Sequence, residues 1–235
     1  MLCGLAETGI PIENATMIPI NSNGYFITGS DTDVGKTYIG CELIRQLRTM
    51  KQSVEVRKPA ESGCVIDGSG NLIPADANRL WQANNHEQDI ERIAPFRFKA
   101  ALAPHRAARL EGKRLELGDL IKACERDNDD HLLFVEGAGG FYSPLAEGAL
   151  NADLASALQL PVVVVVNDRI GAVNQALMTI QSVESRHLKV AAVIMNQVEP
   201  DHEADMDNAS DLREHCDYAV FECTHGQSLP LIFKT

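Results

Sequence analysis

Short runs of β-branched and aromatic residues alternate along this chain with stretches whose apolar positions recur every three or four residues. Tyr25-Phe26-Ile27-Thr28, with glycine on both sides, reads as a strand. Gly35 to Met50 follows as a helix, with Ile39, Leu43, Ile44 and Leu47 at helical spacing. Ser53-Val54-Glu55-Val56-Arg57 reads as a second strand. Helices are expected over Asp76–Asn84 and Lys99–Leu110, and Leu117–Arg126 leads into a buried strand at Leu132–Val135. Val162 to Val166 is β-branched throughout, the habit of a central strand covered on both faces. Gly171–Ser185 then reads as helix, Leu188–Met195 as strand, and Tyr218–Phe221 as a final strand. The acidic stretch from Glu199 to Asp207 predicts a solvated loop and helix start.

Strand–helix alternation with glycine-rich strand ends predicts the α/β class: an open, mostly parallel sheet with helices on both faces and right-handed crossovers. No internal repeat, linker or low-complexity tract divides the chain, so residues 24–235 are expected to form one domain, with 1–23 as an N-terminal extension. In such sheets the ligand site lies at the carboxyl ends of the strands.

Composition narrows the function classes. The chain has 235 residues, 45% of them apolar, which suits a packed globule. Its 33 acidic against 21 basic residues give a formal charge of −12, which argues against a nucleic-acid surface. The apolar run from Leu160 to Val166 is far short of the roughly 20 residues that span a bilayer, and the first basic residue is Lys36, so neither membrane span nor signal peptide is expected. The six cysteines include no C-x-x-C, and none of the seven histidines forms a metal-spaced pair. Reduced thiols fit a cytoplasmic location.

The strongest chemical feature is Gly29-Ser30-Asp31-Thr32-Asp33-Val34-Gly35-Lys36-Thr37, which follows a strand and opens a helix. That is the context of a phosphate-binding loop and makes the fold the phosphate-loop NTPase type. Gly35 lets backbone approach a phosphate, the first helical amides and the helix dipole face the anion, Lys36 supplies a cation, and the Thr37 hydroxyl can ligate Mg²⁺. Gly29 and Gly35 are separated by five residues where the common pattern has four. Asp31 stands where partitioning and membrane-switch ATPases carry an additional lysine, which weighs against a partner-stimulated switch.

Other strand ends add candidates. Lys58, in Arg57-Lys58-Pro59-Ala60-Glu61-Ser62-Gly63, can hold a γ-phosphate or substrate anion, or be a solvated charge; Pro59 and Gly63 stiffen the turn and favour a placed residue. Glu136, in Glu136-Gly137-Ala138-Gly139-Gly140, ends an apolar strand where Mg²⁺ is often held, and the glycines permit close approach of a ligand. Asp76 reads as a first-turn helix carboxylate, and spacing alone does not favour it over Asp67 or Asp33 as a metal ligand. Asn196 can pair with a base edge or satisfy loop backbone, and Gly171-Ala172-Val173-Asn174 is a helix start that can receive a carboxylate or is simply a helix start. Cys64 reads as a small buried thiol.

Taken together the phosphate loop, Lys58-Pro59-Ala60-Glu61-Ser62-Gly63 and Val135-Glu136-Gly137-Ala138-Gly139-Gly140 resemble the dethiobiotin synthetases, ATP-dependent ligases of biotin synthesis. Ala103-Pro104-His105, Ser143-Pro144-Leu145, Arg169–Asn174 and Asn196 extend the resemblance in family order. The five-residue loop spacing is what this family shows. The resemblance implies that a carbamate formed from CO₂ and 7,8-diaminononanoate attacks the ATP γ-phosphate, and that the neighbouring amine closes a cyclic urea with loss of phosphate. It implies Lys36, Lys58 and Thr32 as catalytic residues, and Thr37, Asp76 and Glu136 as Mg²⁺ ligands. Ser62, Thr32, Gly137, Ala138 and Gly139 would contact the substrate. Its carboxylate would be held near Gly171 and Asn174 across a homodimer interface. Asp33, Val34, Gly35, Lys36, Thr37, Tyr38, Asp76, Glu136 and Asn196 would contact the nucleotide. Toward the C-terminus the match departs: the family's Gly-Glu-Ile-Pro-like nucleotide segment is here Phe221-Glu222-Cys223-Thr224, without the glycine and proline.

Overall fold

The computed structural model describes residues 17–21, 23–201, 203 and 205–234. Its centre is a six-stranded sheet. In chain order the strands are β1 (Gly24–Gly29), β2 (Val54–Arg57), β3 (Leu132–Gly140), β4 (Val162–Asn167), β5 (Val190–Asn196) and β6 (Val220–Cys223). Their spatial order is β6-β5-β4-β1-β3-β2, and every neighbouring pair is parallel. The chain moves outward to β2, returns to β3, then crosses β1 to build the other half. β1 therefore lies at the switch in winding direction, where such sheets open a crevice.

The five valines of β4 show why the sheet needs cover on both faces. Val162, Val164 and Val166 pack into one apolar cluster, Val163 and Val165 into the other, and all five are fully buried. Each contributes roughly 1.5–3 kcal/mol by burial. One face is covered by α1 (Lys36–Thr49) and α2 (Ala75–Ala83), which bring Ile39, Leu43, Leu47 and Leu80. The other is covered by α3 (Pro104–Leu110), α4 (Leu117–Ala123), α5 (Asn151–Leu158), α6 (Ala172–Glu184) and α7 (Asn208–Arg213). The expected α/β sheet with helices on both faces is the observed one.

Several boundaries differ from the sequence reading. The helix expected from Lys99 begins at Pro104, because a residue before proline is driven out of the helical region and Ala103 is extended at ψ 135°. Residues 99–103 instead bend, with Ala101, Leu102 and Ala103 in the wall of the cavity described below and the Lys99 amide donating to Glu111. The helix α4 stops at Ala123, and β3 runs on to Gly140. The last sheet strand lies two residues beyond the expected one, at Val220–Cys223. Helix α5 was not read from the sequence: its buried face is carried mostly by Ala152 and Ala155, too small to mark a period. Of the expected extension, residues 1–16 and 22 lie outside the described residues. Ile18–Pro19 pairs in parallel with Phe233–Lys234, and the Tyr25 hydroxyl donates to the Pro19 carbonyl.

Candidate active site

The loop between β1 and α1 is shaped by two left-handed residues, Asp33 at φ 58° and Gly35 at φ 87°. A Cβ on Gly35 would lie 2.1 Å from the Asn196 side-chain nitrogen, so glycine is required by conformation and by space. Asn196, at the end of β5, is buried, and its amide donates to the Val34 carbonyl at 2.9 Å. Lys36 arches back and donates to the Asp31 carbonyl at 3.0 Å. Burial, and then the nearby Lys58 charge, lowers its pKa to about 8. An incoming anion would reverse that shift. On the next residue, the Thr37 hydroxyl donates to Glu136 Oε1 at 2.8 Å.

Sheet register brings the remaining charges together. β2 pairs with β3 so that Arg57 faces Val135, which sets Lys58 beside Glu136. Lys58 Nζ is 2.6 Å from Glu136 Oε1, donates to the Gly137 carbonyl at 3.1 Å, and lies 3.5 Å from Asp76 Oδ2 in the first turn of α2. Burial acts to lower the Lys58 pKa, but the Glu136 and Asp76 carboxylates outweigh it, and the ammonium is held well above its ordinary value.

Glu136 Oε2 is buried and has no hydrogen-bond partner. An ionised oxygen so placed is costly unless a cation or donor completes it. Thr37, Asp76 and Glu136 offer hard oxygen ligands, the donor type that suits Mg²⁺. No cluster of three or more histidine, cysteine or acidic side chains assembles among the described residues. A metal held here would therefore take its other ligands from phosphate oxygens and water, as Mg²⁺ usually does.

These groups open onto a cavity of about 680 Å³. The loop contributes Thr32, Asp33, Gly35, Lys36, Thr37 and Tyr38 to its wall. Lys58, Ser62, Asp76, Glu136, Ala138 and Gly139 line the rest of the charged end. Val34 packs into the core instead, and Gly137 lies against Asn151, whose Oδ1 is 2.7 Å from where a Cβ would be. The structure does not bring Gly171 and Asn174 to this cavity: both are outside its wall, at the start of α6, where Gly171 is exposed. A smaller recess of about 180 Å³ lies by the ends of β5 and β6, with Gln197, Glu222, Cys223 and Thr224 in its wall.

Three residues with structural or lining roles were not singled out from the sequence. Asn151 is fully buried and binds Ala138 through both amide atoms, its nitrogen also donating to the Gly140 and Ser143 carbonyls. It holds the end of β3 and the turn that follows in shape. Glu61 accepts from the backbone amides of Asp76 and Ala77 at 2.9 Å each, and burial raises its pKa. Arg79 lines the cavity one turn beyond Asp76. Glu61 stands inside the Lys58–Gly63 segment, without a role of its own in the sequence reading; the partners of Asn151 and Glu61 are 8 to 16 residues away in the chain.

Residues 23–223 match a family model described as an AAA domain. An ATP-dependent dethiobiotin synthetase of Ruthia magnifica is 41% identical over 84% of this chain and 89% of the relative. That of Vesicomyosocius okutanii is 43% identical over 75% of this chain and 80% of the relative. The corresponding protein of Rhodopirellula baltica is 34% identical over 88% and 86%. At this identity and coverage, on a sheet whose central strand feeds a phosphate-type loop, the chain belongs to the ATP-dependent dethiobiotin synthetase family.

Proposed function

We propose that this chain closes a cyclic urea from CO₂ and 7,8-diaminononanoate, driven by ATP, to give dethiobiotin, ADP and phosphate in biotin synthesis. One amine takes up CO₂ and releases a proton, leaving a carbamate. A carbamate oxygen attacks the γ-phosphorus and ADP leaves. The neighbouring amine then attacks the carbamate carbon, the urea ring closes and phosphate departs. Phosphoryl transfer of this kind has a loose transition state, so positioning and charge neutralisation carry the rate.

The residues divide that work. Asp33, Val34, Gly35, Lys36, Thr37 and Tyr38 receive the nucleotide, with Asn196 on its base side. Lys36 and Lys58 flank the transferred group, and Thr32 holds the carbamate. Ser62, Gly137, Ala138 and Gly139 border the diamine. Thr37, Asp76 and Glu136 hold Mg²⁺, which when bound neutralises phosphate charge. Gly171 and Asn174 take the substrate carboxylate across a homodimer interface. Exposed Ile170 and Met178 beside that helix start favour a covering partner. No helix among the described residues is long and apolar enough to cross a membrane, in keeping with a cytoplasmic enzyme. Residues 24–235 act as a single domain.

The observation that carries this reading is Glu136, in the cavity wall: one oxygen takes both Lys58 and Thr37, and the other is buried without a hydrogen-bond partner. The test is phosphate release with each component omitted in turn. Release is expected only with ATP, Mg²⁺, bicarbonate and the diamine together. Equal release without the diamine would overturn the ligase assignment.

A further inference from the structure

We propose that Glu61 is a positioning residue that sets the metal-binding end of the cavity by fixing the helix that carries Asp76. The inference rests on the reading above that Asp76 belongs to the Mg²⁺ set.

Helix α2 opens after Pro74, which has no side-chain acceptor for the first amides of the helix. A distant side chain fills that role. Glu61 lies on the short strand Ala60–Ser62 and is only 5% exposed. Its Oε1 accepts from the Asp76 amide and its Oε2 from the Ala77 amide, at 2.9 Å each. A carboxylate at a helix start also meets the positive end of the helix dipole. Glu61 is itself in the cavity wall, but both of its oxygens are used on backbone, so it bears on the metal end through α2.

The consequence is geometric. The residue whose amide Glu61 holds is the one whose carboxylate faces Lys58 at 3.5 Å. The residue after Glu61 is Ser62, which lines the same cavity. Glu61 therefore ties the strand bordering the substrate to the helix bordering the metal, and an error at this joint displaces Asp76 relative to Glu136.

Glu61→Gln is nearly isosteric but presents one acceptor oxygen, and its NH₂ group faces the second amide N–H. Outer residues that orient metal ligands typically contribute a factor of about 10–100 in metal affinity. Mn²⁺ binding, followed by its electron paramagnetic resonance signal in the presence of a non-hydrolysable ATP analogue, reads this without turnover. The expected result for Glu61→Gln is about tenfold weaker Mn²⁺ binding, with analogue affinity in the absence of metal unchanged. Glu61→Asp keeps the charge on a shorter arm and should fall between; it also serves if the glutamine variant does not fold. Adding Glu61→Gln to Asp76→Asn should weaken Mn²⁺ no further, because the two act through one group.

Wild-type Mn²⁺ affinity in a folded Glu61 variant overturns the inference while leaving the Mg²⁺ reading intact. Full additivity with Asp76→Asn overturns the route through α2. If the wild-type complex takes up no Mn²⁺, the Mg²⁺ reading fails and this inference falls with it.

Discussion

Arg57 and Lys58 are neighbours at the end of one strand, both buried, both paired with a glutamate, and they do opposite things. Arg57 is fully enclosed. Its guanidinium donates to Glu55, to Asp127 and to the carbonyls of Val56, Ala123 and Glu125, while Glu55 also accepts the Asp127 and Asn128 amides. That cluster is closed: its acceptors are protein groups, and it clamps the segment after α4 onto the edge strand. Lys58 turns to a cavity instead, and its partner Glu136 keeps one oxygen without a partner. A closed ion cluster can only hold structure, whereas an open one can exchange partners with a ligand.

The contrast is broken most directly from the closed side. Arg57→Met leaves the buried Glu55 with the Asp127 and Asn128 amides but without its guanidinium partner, and should lower stability by about 3–5 kcal/mol, read from urea unfolding. Turnover of the protein that remains folded should be little changed. If instead turnover collapses at unchanged stability, the two clusters are not separate in function.

Lys58→Ala tests the open side. It should reduce kcat by about 10²–10³, some 2.7–4 kcal/mol of barrier, and it also lowers stability, because Glu136 is left buried without its counter-charge. Turnover near wild type would end the catalytic assignment of Lys58.

Asn151→Ala addresses the scaffold between the two. It leaves loop carbonyls and the Ala138 amide without their buried partner, a loss of about 1–3 kcal/mol. It should raise KM for the diamine more than KM for ATP, because the segment it braces is the end of β3, Ala138–Gly140, on the side proposed for the diamine.

The smallest effect concerns Lys36. Its pKa in the free protein is lowered from 10.5 to about 8, first by burial. The folded state therefore binds this proton less tightly than the unfolded chain, and stability from this group rises as pH goes from about 8 to about 10.5. A triphosphate at the loop favours the charged form and raises the pKa again. Nucleotide binding at a pH near 9 should then take up protons, measurable by calorimetry in buffers of different ionisation enthalpy. Proton uptake that survives in Lys36→Met would assign it to another group.

How much of this was legible beforehand follows from where each signal resides. The valine run of β4, the helical spacing of Ile39 to Leu47, and Gly35-Lys36-Thr37 after a strand are local patterns, and they led to the sheet, to α1 and to the phosphate loop. Glu136 was legible because it follows the apolar run Leu132–Val135, although β3 continues past it to Gly140. The role of Asp76 needed family resemblance, since alone it is one more first-turn acid. Glu61 stood inside the Lys58–Gly63 segment without a role, and Asn151 had no local mark, because an acceptor for another element's amides looks like any other polar residue until the elements dock. Asn196 was open between base and backbone, and its amide is directed at the Val34 carbonyl. Helix α5 escaped because alanines pack well without raising the apolar period.

By itself, then, the sequence determined the alternation of elements, burial of the sheet on both faces and a loop built for phosphate, since each depends on residues close together in the chain. Only the tertiary structure decided that Lys58, just past the end of β2, meets Glu136, in the middle of β3, and that Glu61 holds the first turn of α2. Those contacts depend on the register of β2 against β3 and on how α2 docks. Register follows from the packing of whole faces, a sum over many side chains that no short stretch of sequence contains.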